Sequence, residues 1–231
     1  MVQRWFVTST GTDIGKTLVS AALAHQFREA GRSVSVLKPV LSGFDRTEAE
    51  HSDSGILLRA CGLDVDDGHL DAITPWRFRE PLSPDMAAAR EGRSLDCTEI
   101  VDFCRAAGER DVEVCLVEGV GGAMVPIDAG STVLDWIAAL GWPTLLVAGS
   151  YLGTISHTLT AYETMHTRGV APAVVLLSES EISPVPLEET AEAIARYLPA
   201  SVRVGSVPRV ATGEPEPWRQ VPPLLTLLGG S

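Results

Sequence analysis

Short, continuously apolar runs alternate along this chain with longer stretches whose apolar positions recur three or four residues apart. Residues 4–9, 33–38, 112–117, 144–148 and 171–177 form the first class and predict strands buried on both faces. Residues 16–30, 54–60, 85–91, 99–107, 133–140, 155–168 and 187–197 form the second and predict helices. In the first of these Val19, Leu23 and Phe27 repeat at i+4 as a core face, and Gly31 supplies the stop. Pro39 stops the second strand. Valine- and leucine-rich strands alternating with helices imply an α/β fold: a doubly wound, mainly parallel sheet with helices on both faces, binding its ligand at the carboxyl ends of the strands. Residues 47–53 read as a solvated, mobile loop. The Pro- and Gly-rich tail from Gly205 reads as a surface wrap, with residues 224–228 docking as a last short element.

Composition narrows the function. The 231 residues fit one domain, 1–231, with a substantial core. A formal charge of −12 argues against a nucleic-acid or anionic-membrane surface, so any phosphate must be held locally. Cys61, Cys97, Cys104 and Cys115 show neither a Cys-x-x-Cys pairing nor a histidine at ligand spacing, which predicts buried free thiols and a cytoplasmic setting. No apolar run approaches the length of a membrane span, and no signal peptide is expected.

Of the 18 basic Lys and Arg residues only Lys16 and Lys38 are lysine, which marks both as positions needing a compact ammonium. Lys16 lies in Thr8-Ser9-Thr10-Gly11-Thr12-Asp13-Ile14-Gly15-Lys16-Thr17, between a predicted strand and a predicted helix. That is the layout of a phosphate-binding loop, in variant form because Thr10 stands where the usual pattern has Gly. Backbone N–H groups and the helix N-terminus face phosphate, lysine reaches it, and the Thr17 hydroxyl meets Mg²⁺. The bland alternative is an ordinary strand-to-helix turn. Glu118, at the end of an apolar strand and before Gly119-Val120-Gly121-Gly122, is a candidate Mg²⁺ ligand or a capping carboxylate. By spacing alone Asp53 reads as a helix cap.

Together these residues resemble the dethiobiotin synthetase family. The resemblance rests on Gly-Thr-Asp-Ile-Gly-Lys-Thr, Lys-Pro-Val-x-Ser-Gly from Lys38 to Gly43, Ser52-Asp53, Glu-Pro-x-Ser-Pro from Glu80 to Pro84, and Val-Glu-Gly-x-Gly-Gly from Val117 to Gly122. Leu-Gly-Thr-Ile-x-His from Leu152 to His157 and Val207-Pro208 complete an ordered set over nearly the whole chain. It implies a P-loop NTPase-like sheet of about seven strands, a homodimer, and the use of ATP, Mg²⁺, CO2 or bicarbonate and 7,8-diaminopelargonic acid.

The resemblance assigns Lys16 to the β- and γ-phosphates, Lys38 to the carbamate and γ-phosphate, and Mg²⁺ to Thr17, Asp53 and Glu118. Asp13, Ile14, Gly15, Leu18, Gly119, Val120 and Gly121 then surround the nucleotide. Thr12, Ser42, Gly121 and Gly122 bound the substrate, as does the segment 149–157 with Gly153, across a dimer interface. Ser178 stands where the family has a base-reading Asn, a residue type this chain lacks altogether. Pro208 and Arg209 are further candidates to line the base, and the base preference stays open between ATP and a pyrimidine nucleotide. Ser9, Asp85 and Ser156 replace the family's Gly, His and Asn, and Thr190 replaces a carboxylate-binding Tyr. His157 is a general-base candidate by residue type, or a structural, hydrogen-bonded histidine.

Two other readings are weaker. A cobyrinate-type amidotransferase synthetase carries a glutaminase domain for which 231 residues leave no room. Nucleotide-switched partition or positioning ATPases carry a lysine early in the loop, where this chain has Gly11.

Overall fold

The computed structural model describes residues 2–109, 111–210, 213 and 215–229. The chain runs β1 (Gln3–Ser9), α1 (Lys16–Glu29), β2 (Val34–Leu37), β3 (Val40–Ser42), a 3-10 helix (Arg46–His51), α2 (Asp53–Ala60), α3 (Asp67–Ile73) and β4 (Trp76–Phe78). It continues through α4 (Pro84–Arg90), α5 (Cys97–Gly108), β5 (Val114–Glu118), α6 (Val133–Leu140), β6 (Thr144–Ala148), α7 (Thr154–Thr167), β7 (Val174–Ser178), α8 (Leu187–Ala195) and β8 (Arg203–Val207). Two short 3-10 helices, Pro217–Gln220 and Leu225–Leu228, follow.

The main sheet has six strands in the order β2-β5-β1-β6-β7-β8, and every pairing is parallel. Every residue of β5, β6 and β7 is buried, as a parallel sheet covered on both faces requires. The described residues thus supply six strands to this sheet, where the resemblance implies about seven. The remaining strands, β3 and β4, form a separate two-stranded parallel ribbon.

Two expectations need correction. Residues 46–51 form a 3-10 helix capped by Asp45, with Ala49 buried, where a solvated loop was expected. Gly205 lies in edge strand β8, paired with Leu176 of β7, and not in a surface tail, and a Cβ there would lie 2.5 Å from Leu227 Cδ1. A side chain at 205 would thus push off the last 3-10 helix. That helix docks as expected, with Leu224 and Leu228 buried. Ahead of it, Trp218 is buried under the Arg59 guanidinium, 5.4 Å from the ring centroid. Gln26 of α1 donates to the Pro222 carbonyl at 2.9 Å and accepts from the Leu224 N–H at 2.7 Å.

Candidate active site

Register places the chemistry. Leu37 of β2 pairs with Val117 of β5, so the next residues, Lys38 and Glu118, leave the carboxyl edge side by side. Val7 of central β1 pairs with Glu118 on the other flank, and the loop after β1 crosses the same edge. In that loop Gly15 caps α1 at φ 90, a left-handed conformation that disfavours any residue with a Cβ. A Cβ at 15 would also fall 2.2 Å from Ser178 Oγ. The Ser9 hydroxyl lies 2.6 Å from the Gly11 carbonyl and 2.9 Å from that of Gly121, tying the loop to the glycine-rich turn after β5.

Lys38 is 2% exposed, and its ammonium donates to Glu118 Oε1 at 2.7 Å, Asp53 Oδ2 at 2.9 Å and the Gly119 carbonyl at 3.0 Å. All three of its N–H groups are satisfied. Burial alone lowers a lysine pKa, but the Glu118 and Asp53 charges outweigh it and raise that of Lys38. Burial opposes ionisation of Asp53 too, and there the Lys38 charge wins and holds the carboxyl below its ordinary value. Thr17 Oγ1 lies 2.9 Å from both Asp53 Oδ1 and Glu118 Oε1. Ser52, not Asp53, caps α2, which frees the Asp53 side chain for the site.

Lys16 is 7% exposed and makes no hydrogen bond or ion pair with a described residue. Burial, then the nearby Lys38 charge, lowers its pKa. The two lysines are thus tuned in opposite directions a few residues of sheet apart.

Two cavities open at this edge. The first, about 910 Å³, is walled by Thr12, Lys16, Thr17, Lys38, Ser42, Asp53, Val120 and Gly121 among others. Pro81, Leu82, Ser83 and Pro84, within the Glu-Pro-x-Ser-Pro motif, also line it, a role that the motif's residue types do not reveal. The second, about 580 Å³, shares Asp13, Ile14, Gly15 and Leu18 with the first and is completed by Ser178, Glu179, Ser180, Glu181, Arg209 and Val210. Glu179 and Glu181 carry no sequence motif that could have singled them out.

Other expected residues stand elsewhere. Glu118, 1% exposed, sits behind the first cavity wall and reaches it through Lys38 and Thr17. Gly119 contributes its carbonyl to Lys38, and Gly122 lets the turn approach the loop backbone, its Cβ position lying 3.3 Å from Gly11 N. Pro208 and Gly153 line neither cavity. Gly153 caps α7 beside exposed Leu152, and His157 Nδ1 lies 2.9 Å from the Tyr151 hydroxyl. Thr190 is buried, away from both cavities.

Residues 3–216 match the family model described as an AAA domain. The chain is 49% identical over 201 residues to an ATP-dependent dethiobiotin synthetase BioD of Acidiphilium cryptum, covering 87% of this chain and 90% of that one. It belongs to the dethiobiotin synthetase family. The dethiobiotin synthetase of Methylobacterium nodulans is likewise 49% identical, over 88% of this chain and 92% of its own. A ParA family ATPase from Chlorobium tepidum shares the fold of this dethiobiotin synthetase family member, with a TM-score of 0.52 at 13% identity over 90% of this chain and 84% of its own.

Proposed function

We propose that this chain is an ATP-dependent cyclo-ligase that converts 7,8-diaminopelargonic acid and CO2 into dethiobiotin, with release of ADP and phosphate. The observation that carries the reading is the opening of both buried lysines, with Asp53 and the Thr17 hydroxyl, on one cavity backed by Glu118 and joined through the phosphate loop to a second. Family membership supplies the substrate class.

One substrate amine attacks CO2 and loses a proton, giving a carbamate. A carbamate oxygen attacks the γ-phosphorus and the bond to the ADP oxygen breaks. The second amine then attacks the carbonyl carbon of the mixed anhydride, expels phosphate, loses its proton and closes the ring. Two anions meet in the middle step, so positive charge is needed on both sides of the moving phosphoryl group. Lys16 serves the nucleotide side and Lys38 the carbamate side. No enzyme nucleophile takes part. Thr12 and Ser42 orient the diamine end, and Leu41, Leu82 and Val125 offer an apolar wall to its alkyl chain.

The donors fit Mg²⁺. Thr17, Asp53 and Glu118 are hard oxygen ligands, and Glu118 Oε2 is buried without a hydrogen-bond partner. Bound there, Mg²⁺ would neutralise charge on the β- and γ-phosphates. The enzyme acts as a homodimer in the cytoplasm, the segment 149–157 with its 85% exposed Leu152 meeting the partner's substrate. Four buried cysteines suit that compartment.

The test is product analysis. Purified protein with Mg-ATP, bicarbonate and the diamine should form dethiobiotin and phosphate in equal amounts. Absence of product at saturation, with ATPase activity stimulated instead by a protein or lipid partner, would replace this reading with the partition-type one.

A further inference from the structure

Five polar side chains face the second cavity besides the shared loop, and four are already engaged. Ser178 Oγ is turned onto Gly15, lying 2.2 Å from where a Cβ would stand. Ser180 Oγ accepts the Ser150 N–H at 2.9 Å. The Arg209 guanidinium is drawn to Glu181, at 3.4 Å. Glu179 differs. Its Oε2 accepts the Arg209 backbone N–H at 2.8 Å, which fixes the carboxylate against the wall, and its own N–H is held by the Val207 carbonyl at 2.9 Å. No described residue donates to its other oxygen, Oε1. A fixed carboxylate with one uncommitted oxygen is a single, oriented acceptor.

We propose that Glu179 sets the base preference of the second cavity, selecting nucleotides whose base carries an exocyclic amine and rejecting those with an oxo group there. The inference rests on reading the paired cavities as a nucleotide site. Adenine and cytosine present an N–H donor at the exocyclic position, which Oε1 accepts. Hypoxanthine and uracil present a carbonyl oxygen, and two acceptors facing each other in a half-buried wall leave both unpaired. Guanine is usually held by a carboxylate through two parallel hydrogen bonds to its N1 and N2 groups. That mode needs both oxygens, and Arg209 occupies one. Ser178, at the position where the family has asparagine, is left as the residue that packs the loop, and base reading passes to its neighbour.

ATP and ITP differ at this group, as do CTP and UTP, so each pair isolates it. Wild-type enzyme should show kcat/KM for dethiobiotin formation about tenfold or more higher with ATP than with ITP, and CTP should likewise exceed UTP. In Glu179→Gln the amide oxygen keeps the Arg209 N–H and the amide NH2 faces the base, so the ATP/ITP ratio should fall about tenfold. Equal use of ATP and ITP by the wild type would overturn the proposal, and needs no variant. So would a Glu179→Gln enzyme that loses activity equally with both, since a purely structural Glu179 would behave that way. Displacement of a fluorescent ATP analogue by the same four nucleotides reads discrimination without turnover. Discrimination there, with no dethiobiotin formed, would support Glu179 and overturn the reaction instead.

Discussion

Lysine at 38 offers three donors to three acceptors in a buried niche at the cavity wall, and this match explains why arginine has not replaced it. A guanidinium is larger and its donors lie in one plane, so it cannot meet Glu118 Oε1, Asp53 Oδ2 and the Gly119 carbonyl together. Lys38→Arg is expected to lower kcat by about 100-fold or more while nucleotide affinity stays within a few-fold, because Lys16 and the loop backbone are untouched. Steady-state kinetics beside a nucleotide titration separates the two effects. Gly15→Ala should do the reverse and reduce nucleotide affinity by about tenfold or more, since φ 90 and the Ser178 Oγ contact both oppose a methyl group. Adding Ser178→Gly removes the contact but not the backbone strain, so titration of the double variant should show partial recovery. Lys16, Thr17 and Lys38 were legible in the sequence because each sits in a motif with a mechanism. Asp53 was legible only through the family resemblance, since its spacing mimics a helix cap and the structure shows Ser52 taking that task. Glu179 left no signal at all, because an acid at a strand end is ordinary until its neighbour Arg209 is seen to hold it.

Among the elements, the buried strands of the main sheet could be read from uninterrupted apolar runs, and the helices from their spacing. Three classes escaped. The strands β3 and β4 have three residues each, too few to show a period, and β3 resumes right after the proline that marked a stop. The helix α3 is seven residues long with only Leu70 and Ile73 buried, so its apolar face is nearly silent. The edge strand β8 carries glycine where Leu227 of the last 3-10 helix packs close to its backbone, which interrupts the apolar run. The final segment is fastened by Trp218, buried beneath Arg59, which also donates to the Pro215 carbonyl at 2.6 Å. Trp218→Ala should destabilise the protein by about 3–5 kcal/mol in urea unfolding, and by much less if the tail were a loose wrap.

For the molecule as a whole, buried thiols set an alkaline limit. Burial pushes Cys61 from an ordinary 9.0 to about 12, with Arg28 only partly opposing it, and pushes Cys104 up as well. Below pH 9.0 these thiols are neutral in both folded and unfolded chains, and stability is unaffected by them. Between pH 9.0 and about 12 only the unfolded chain gains by ionising, so the melting temperature should fall across that window. Replacing Cys61 and Cys104 by alanine should flatten the slope in a pH series of thermal melts. The strand order carries a last consequence, for the route to this state. The first strand made, β1, is central and pairs only with β5 and β6, more than 100 residues later in the chain. During synthesis the phosphate loop is therefore complete long before anything can hold it in shape. A chain ending short of Ala148 should stay unfolded, and collapse into a nucleotide-binding unit should begin only once that residue has left the ribosome.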